Sequence, residues 1–247
     1  QISLLTTQQE KIKILNSFNI DYLITQEFTK SFSRLSPLEF VRDILVNKLN
    51  AKHIVIGYDH HFGRNRDANS NQLLEFSKSF DFDVTEVEAL NKNKISVSST
   101  KIRNLIFEGN IMDANRYLGY DFILTGNVIK GLGRGKELGF PTANINIDSK
   151  KIKPSDGVYF IYSVINKKTC YGMMNIGKNP TFIDKGYSME VHLFDFNEDL
   201  YGKELTIRMV EKIRDEMKFD SPNDLSFQLK IDKKKCFQII NSLKKTT

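Results

Sequence analysis

The amino-acid sequence predicts two successive folds: a doubly wound α/β domain, then an antiparallel β barrel of Greek-key type with a C-terminal helix. In the first part, helical periodicity alternates with short apolar strands, which is typical of a parallel sheet flanked by helices. Beyond about residue 121, short strands follow one another with turn residues between them, which favours a barrel. A chain of 247 residues is long enough for two cores. Because the pattern changes near Tyr120, we place the domains at 1–120 and 121–247.

The first domain is predicted from three helices and two strands. Ser36-Pro37 begins a helix, since serine caps free N–H groups and proline suits the first turn. Its apolar residues recur at helical spacing: Leu38, Val41, Leu45 and Leu49. The continuously apolar strand 53–57 is expected to be covered on both faces. Helix 71–80, strand 82–87 and a helix opening at Ser98 continue the alternation.

The second domain is predicted from turn-bounded strands and one long helix. The strands are expected at 122–129, 142–147, 157–165, 171–176, 188–196 and 205–210. Ser221-Pro222 then begins the final helix. Its partly apolar face is predicted to carry Leu225, Leu229, Asp232, Cys236, Ile239 and Leu243.

Composition narrows the class of protein. The net charge of +6 is dispersed along the chain and alternates with acids, so it favours small anionic substrates over nucleic acid. The two cysteines, Cys170 and Cys236, form no CxxC pair, which argues against a disulfide framework or a structural zinc site. No apolar run approaches the ~20 residues that span a bilayer. We expect a cytoplasmic protein without a membrane partner.

A glycine-rich stretch at 131–144 is the strongest functional signal. Glycines let backbone N–H groups surround an anion, two cations add positive charge, and the Pro-Thr-Ala-Asn step that follows offers the side-chain oxygens that Mg²⁺ prefers. The candidate ATP-binding residues are Gly131, Gly133, Arg134, Gly135, Lys136, Gly139, Thr142 and Asn144, the last two also being candidate metal ligands. No Gly-Lys-Ser/Thr ending is present, so this is not a Walker loop. The alternative is a glycine-rich hairpin with surface charges.

With this segment the chain resembles riboflavin kinases, and more closely the bacterial bifunctional riboflavin kinase/FAD synthetases. The resemblance implies a Rossmann-like nucleotidylyltransferase domain, incomplete at its start, ahead of a riboflavin kinase barrel. It also implies phosphorylation of riboflavin to FMN and adenylylation of FMN to FAD. The substrates would be ATP, riboflavin and FMN, with Mg²⁺ accompanying ATP.

Glu190 is the candidate catalytic residue. Strand alternation places Glu190 and His192 on one face and Met189, Val191 and Leu193 on the other. A carboxylate here can accept the hydroxyl proton during phosphoryl transfer, and the resemblance assigns that role to the Glu of this Glu-Val-His segment. The alternative is a solvent-facing Glu beside a partly buried His.

The segment after the last strand is the candidate flavin site. Arg214-Asp-Glu-Met-Lys-Phe219 resembles the Leu-Arg-x-Glu-x-x-Phe loop of the kinases, with Ile213 in the Leu position. The resemblance implies that Arg214, Glu216 and Phe219 contact the isoalloxazine. The segment 175–182 matches another family stretch and is interpreted as a turn beside the nucleotide.

Two segments of the first domain are candidate nucleotide-binding elements. The loop 57–66 resembles the Gly-x-Asp-x-x-Phe-Gly-x-x-Arg segment of FAD synthetases. Two alternatives are metal binding by the adjacent His60 and His61, and a polar loop with solvated charges. Residues 98–103 match a Ser-Ser-Thr-x-Ile-Arg motif at a helix start, which alone could be a plain cap. The residues carried over are Gly57, Asp59, Phe62, Gly63, Arg66, Ser98, Ser99, Thr100 and Arg103.

One family element is missing from the sequence. Adenylylation domains of the family begin with Gly-x-Phe-Asp-Gly-x-His-x-Gly-His, which these 247 residues do not contain, and the chain opens at Gln1 rather than Met. We therefore expect a truncated start. The alternative function is a monofunctional riboflavin kinase whose first domain only binds nucleotide or flavin. A nucleic-acid-binding barrel is disfavoured because basic and aromatic residues do not interleave along the strands.

Overall fold

The computed structural model describes residues 3–89, 91–92, 95–131, 134–178 and 187–246. The chain forms two compact units, one of Asp21–Val97 and one that joins Gln1–Ile20 to Ser98–Thr247. The predicted fold class is confirmed: the first is an α/β unit and the second contains an antiparallel barrel. Among the described residues, no helix combines the length and apolar character needed to cross a bilayer.

The α/β unit is built on two parallel strands. Strand β1 (His53–Gly57) pairs in register with β2 (Asp83–Val87). A helix α2 (Pro37–Glu39) continues as a π-helix (Phe40–Val46), and α3 is Ser70–Phe80. A short hairpin of β3 (Asn91–Lys92) and β4 (Ile95–Ser96) follows, and one-turn 3₁₀ segments lie at Phe32–Arg34 and Arg64–Arg66. The core of the unit consists of Val41, Ile56, Phe62, Ala68, Leu73 and Phe82.

Two predictions for this unit were only partly right. Ser36 caps its helix as predicted, but only Val41 and Leu45, which lie within the π-helix, pack into the core. Leu38 precedes the π-helix, Leu49 follows it, and both are exposed. The prediction that β1 is covered on both faces was wrong. Val55 is 63% exposed because its neighbour Ile56 points into the core and the opposite face of the strand is open.

Six antiparallel strands close the barrel in the order β10-β5-β6-β9-β8-β7. Their bounds are β5 Phe122–Ile129, β6 Ala143–Ile147, β7 Gly157–Ile165, β8 Lys168–Lys178, β9 Tyr187–Leu193 and β10 Glu204–Arg214. The last strand in the chain lies between the first and the third, which is the non-sequential order expected of a Greek-key arrangement. All six predicted strands are present, with ends that differ by a few residues.

The outer face of the barrel carries a second apolar layer. Helix α7 (Pro222–Thr246) packs on β8 and β10. Its buried residues Cys236 and Ile240 form one apolar cluster with Phe140, Val158, Phe160, Met173 and Phe194. The predicted face of α7 is confirmed except at its end, where Ile240 is buried and Leu243 is exposed. This layer lies on the strand face that also carries Glu190, so α7 helps to enclose the candidate site.

Three helices that precede the barrel in sequence belong to the same compact unit. They are α1 (Gln8–Asn16), α4 (Ser99–Phe107) and α5 (Ile111–Leu118). Helix α5 packs on β10 and β5, and the Asn115 amide donates to the Met209 carbonyl at 2.8 Å. The boundary that we placed at residues 120–121 stays a prediction.

A fully buried ion pair joins α1 to the segment that follows β6. Lys151 Nζ lies 2.6 Å from Glu10 Oε2, and neither side chain is exposed. The other oxygen, Glu10 Oε1, accepts the Thr125 N–H of β5 at 2.9 Å. Thr7 and Glu10 also form a capping box at the start of α1. Burial lowers the pKa of Lys151 to about 8, although the Glu10 carboxylate opposes the shift.

Candidate functional site

A cavity of about 290 Å³ opens on the outer face of the barrel, beneath α7 and the segment that follows β10. Its apolar walls include Phe140, Met173, Phe219, Leu225 and Leu229. Polar groups converge from Thr142, Asn144, Asn175, Glu190 and His192. A cavity with apolar walls and convergent polar groups is typical of a small-molecule site.

Strand register places the polar groups of the cavity in one row. Asn144 on β6 and Asn175 on β8 lie directly opposite Glu190 on β9, one on each side. Thr142, just before β6, donates its hydroxyl to Glu190 Oε2 at 3.3 Å. The predicted alternation is confirmed, because Met189 and Val191 are buried on the other face. The Glu190 carboxylate is therefore held between hydroxyl and amide groups at the cavity wall.

His192 is a buried part of the wall. Its ring lies between Phe140 and Phe194, at centroid distances of 5.2 Å and 5.6 Å. Nδ1 is 2.8 Å from the Pro141 carbonyl oxygen, an acceptor, so Nδ1 carries the proton. Burial lowers the pKa of His192, with the Pro141 carbonyl opposing and Lys233 assisting the shift. A neutral His192 thus fixes the backbone immediately before Thr142.

The glycine-rich segment lies beside this row. A Cβ at Gly131 would collide with the Asn144 amide, and one at Gly135 would collide with the Phe140 carbonyl. The segment forms a one-turn helix α6 (Arg134–Glu137), and Gly139 ends the turn with φ of +78°. Close backbone approach therefore requires glycine at Gly131 and Gly135. Gly133 and the Arg134 side chain lie outside the described residues.

Thr142 lies where two cavities meet. It lines the apolar cavity and also a second one of about 360 Å³, to which Pro141 and Ala143 contribute as well. Lys136 lines the second cavity, together with the segment 196–201 that connects β9 to β10. The predicted ATP-binding residues Lys136 and Thr142 thus share one cavity, and Glu190 lies within hydrogen-bonding distance of its edge.

The predicted flavin-binding residues line the apolar cavity. Arg214, Glu216 and Phe219 all contribute to its wall, and the Arg214 guanidinium lies 5.7 Å from the Phe219 ring centroid. The Glu216 carboxylate lies against Gly177, where a Cβ would collide with it. The candidate base and the candidate flavin loop, although separate in sequence, are therefore brought to one cavity.

Two residues at this site were not singled out from the sequence as functional. The sequence predicts a turn at Asn175, yet this residue lies in the row with Glu190, which pairing of the two strands could suggest. Asp232 was placed on the apolar face of α7, where a lone acid is itself a signal, but its partner could not be inferred. That partner is Arg214, whose Nε lies 3.0 Å and 3.1 Å from the two Asp232 oxygens.

The predicted nucleotide loop of the α/β unit follows β1. Phe62 is buried in the core of the unit against Phe40, with ring centroids 5.8 Å apart. Gly63 has φ of +75° and packs against Pro37, where a Cβ would clash. Gly57, Asp59 and Arg66 are exposed. Phe62 and Gly63 therefore fix the loop, while the exposed residues remain candidate ligand contacts.

The Ser98 motif starts helix α4, as predicted, in the unit that contains the barrel. Ser98 is the N-cap and accepts from the Lys101 N–H at 3.3 Å, while Ser99 and Thr100 are exposed. Arg103 Nε donates to the Ser3 carbonyl at 2.9 Å. The helix start thus has its cap in place, and the roles of these residues in nucleotide binding stay predictions.

Known proteins resemble the chain over both parts. The family model described as riboflavin kinase matches residues 118–240, and that described as FAD synthetase matches residues 1–101. A bifunctional riboflavin kinase/FMN adenylyltransferase of Buchnera aphidicola from Schizaphis graminum is 41% identical, over 96% of the chain and 78% of the relative. The chain belongs to this family. A relative of the same description from Listeria monocytogenes is 36% identical, over 94% of the chain and 74% of the relative.

A solved structure has the same fold. A crystal structure of a Streptococcus pneumoniae protein, described as a macrolide-efflux protein, is 33% identical with a TM-score of 0.83. It aligns over 93% of this chain and 74% of the other chain. Because one fold can host many functions, the word efflux in that description does not indicate an efflux activity for the present chain.

We predict that His192 acts through its Nδ1–H. Substituting His192→Ala removes the donor to Pro141 and should raise the KM for Mg·ATP by about tenfold, because the Thr142 backbone loses its support. His192→Asn keeps an N–H near the Nδ1 position and should restore KM to within about threefold of the parent. Steady-state kinetics with ATP varied tests this. Equal losses in both variants would contradict a hydrogen-bonding role.

The lowered pKa of His192 gives a second readout. The unfolded chain takes up a proton below about pH 6.5, whereas folded His192 resists protonation. The stability that neutral His192 provides is therefore present above that pH and is lost as the pH falls towards the folded pKa. The melting temperature of His192→Asn should fall less steeply than that of the parent between about pH 7.5 and pH 5.5.

Proposed function

We propose that the barrel transfers the γ-phosphoryl group of ATP to the terminal ribityl hydroxyl of riboflavin, giving FMN and ADP. The observation that carries this proposal is the position of Glu190 at the wall of the apolar cavity. Its carboxylate accepts a hydrogen bond from Thr142, which lines the second cavity as well. Phosphoryl transfer needs two substrates aligned at one point with a base beside the acceptor hydroxyl. Two cavities that share Thr142, beside the Glu190 carboxylate, satisfy this requirement.

The apolar cavity suits the flavin. Phe219, Leu225 and Leu229 offer faces for the isoalloxazine, and Arg214 offers a cation that can stack or donate hydrogen bonds. Asn175, directly opposite Glu190 on the neighbouring strand β8, provides an amide group for the ribityl hydroxyls. The terminal hydroxyl would then lie closest to Glu190.

The second cavity suits the nucleotide. Lys136 lines this cavity and provides positive charge. Gly135, which precedes it and lines the first cavity, allows a backbone N–H to approach phosphate at the boundary between the two. Magnesium also fits these residues, because the Thr142 hydroxyl and Asn144 amide offer oxygens beside the Glu190 carboxylate. When bound with ATP, the ion would offset the negative charge on the phosphate oxygens.

Glu190 would act as the general base. As the acceptor oxygen bonds to the γ-phosphorus and the bond to the β-phosphate oxygen breaks, the hydroxyl proton passes to the Glu190 carboxylate. ADP leaves with the electron pair of the broken bond. Thr142 orients the carboxylate through its 3.3 Å hydrogen bond, and α7 with the 214–219 segment keeps water from the γ-phosphate.

For the N-terminal domain, when complete, we propose adenylylation of FMN to FAD, the second activity that the relatives' descriptions name. The exposed residues of the loop after β1 and the helix start at Ser98 are the proposed nucleotide contacts. A cytoplasmic location is proposed from the two free cysteines, Cys170 and Cys236. The substrates proposed for the whole chain are ATP, riboflavin and FMN.

The kinase proposal is tested by incubating the chain with riboflavin, ATP and Mg²⁺ and separating the flavins by chromatography. We expect FMN and ADP to appear in equal amounts, and no FMN when ATP is omitted. Absence of FMN under conditions in which the protein is folded would reject the proposal.

Thr142 and Asn144 are predicted to bind one Mg·ATP unit together. Each single alanine substitution should weaken Mg·ATP binding, and the double substitution should weaken it by less than the sum, because both oxygens serve the same group. Calorimetric titration of the parent, the two single variants and the double variant measures this. Small and fully additive losses would mean that these residues only hold the turn.

A further inference from the structure

Asp232 is a fully buried carboxylate in the middle of α7. It continues a face of the helix that carries Leu225 and Leu229, which line the cavity, and Cys236, which is buried in the apolar layer. A buried charge among apolar side chains is costly unless it is paired. A carboxylate on this apolar face of α7 therefore requires a specific partner.

That partner is the candidate flavin ligand. Arg214, the last residue of β10, directs Nε to both Asp232 oxygens at 3.0 Å and 3.1 Å, and its side chain is 12% exposed. Gln228, one turn earlier on α7, donates to Asp232 Oδ1 at 2.8 Å. Arg214 Nη1 donates to the Asp215 carbonyl at 3.0 Å. The guanidinium is thus fixed from two sides while it lines the cavity.

We propose that Asp232 is a positioning residue for flavin binding, which acts through Arg214 and makes α7 part of the kinase site. Apolar side chains can fill such a position at no loss of stability, so packing alone does not require this ion pair. A guanidinium held in one orientation can meet a planar ligand without first being ordered. The inference rests on the proposed function, because it takes the ligand of the cavity to be riboflavin.

The experiment is a double-mutant cycle on riboflavin binding and turnover. Asp232→Asn should raise the KM for riboflavin by about tenfold and leave the KM for ATP within about twofold, since Arg214 loses its charge-assisted bonds. Arg214→Gln should raise the same KM, and adding Asp232→Asn to it should change KM by less than about twofold. Asp224→Asn, on the same helix but exposed and bonded to Ser221, is the matched control and should keep the parent values.

The outcomes separate the inference from the function on which it rests. If the parent makes no FMN, the proposed function fails. If the parent makes FMN but Asp232→Asn leaves the KM for riboflavin unchanged, the positioning role is overturned. It is also overturned if the KM of the double variant rises by the product of the two single effects, because the two residues then act independently. Should Asp232→Asn not fold, Gln228→Leu removes one donor to Asp232 and keeps both charges. It should raise the KM for riboflavin by about threefold, and an unchanged KM would overturn the proposal.

Discussion

Replacing Glu190 with Gln is expected to lower kcat for riboflavin phosphorylation by about two to four orders of magnitude, the range for loss of a positioned general base. The amide keeps the size of the side chain and can still accept from Thr142, so the cavity should be preserved. Binding of Mg·ATP, measured by calorimetry, should therefore change little. The loss should be in the chemical step and should appear in single-turnover rates.

Glu204→Gln is the matched control for this result. Glu204 begins barrel strand β10, and its exposed carboxylate lies 2.5 Å from Lys13 Nζ. It lines neither cavity. Because exposed ion pairs contribute little, kcat of this variant should equal that of the parent. A kcat within about threefold of the parent for Glu190→Gln would reject Glu190 as the base.

The second large effect is expected on stability. Glu10→Gln leaves the Lys151 ammonium buried without a counter-charge and should lower the free energy of unfolding by about 3–5 kcal/mol. Chemical denaturation followed by circular dichroism measures the change. Glu10 lies in the part that matches the FAD synthetase family, but its partners Thr125 and Lys151 lie in the part that matches the riboflavin kinase family. Thermal inactivation of the kinase activity should therefore also occur at lower temperature.

Two controls separate the ion pair from general damage to α1. Lys13→Ala removes an exposed ion pair between the same helix and the barrel and should cost less than about 1 kcal/mol. The double variant Glu10→Leu with Lys151→Met replaces both charges by apolar groups and should recover most of the loss. A double variant as unstable as Glu10→Gln would show that the individual hydrogen bonds to Thr125 and Leu5, rather than the unpaired charge, carry the stability.

The barrel was predictable from the sequence because its signals are local. Strand alternation around Glu190 follows from a period of two, and turn residues bound each strand. The same reasoning placed Glu190 and His192 on one face, and the shared cavity agrees with it. Two predicted parts of the site, the Thr142 turn and the 214–219 segment, came together because the strands that carry them close into one barrel.

The remaining features depend on distant contacts that no local pattern encodes. Glu10 and Lys151 are 141 residues apart, and each alone reads as an ordinary surface charge. Asp232 stands out on the apolar face of α7, but only the fold brings it to Arg214. The exposure of Val55 was missed for a similar reason, since an apolar strand indicates burial without saying which helices cover it.

The most direct test of the account is a crystal structure of the chain with riboflavin, ADP and Mg²⁺. We predict the isoalloxazine in the apolar cavity against Phe219, and the terminal ribityl oxygen within hydrogen-bonding distance, about 2.6–3.2 Å, of the Glu190 carboxylate. ADP should occupy the second cavity with its phosphates towards Thr142. A flavin bound elsewhere, or one whose terminal hydroxyl points away from Glu190, would contradict it.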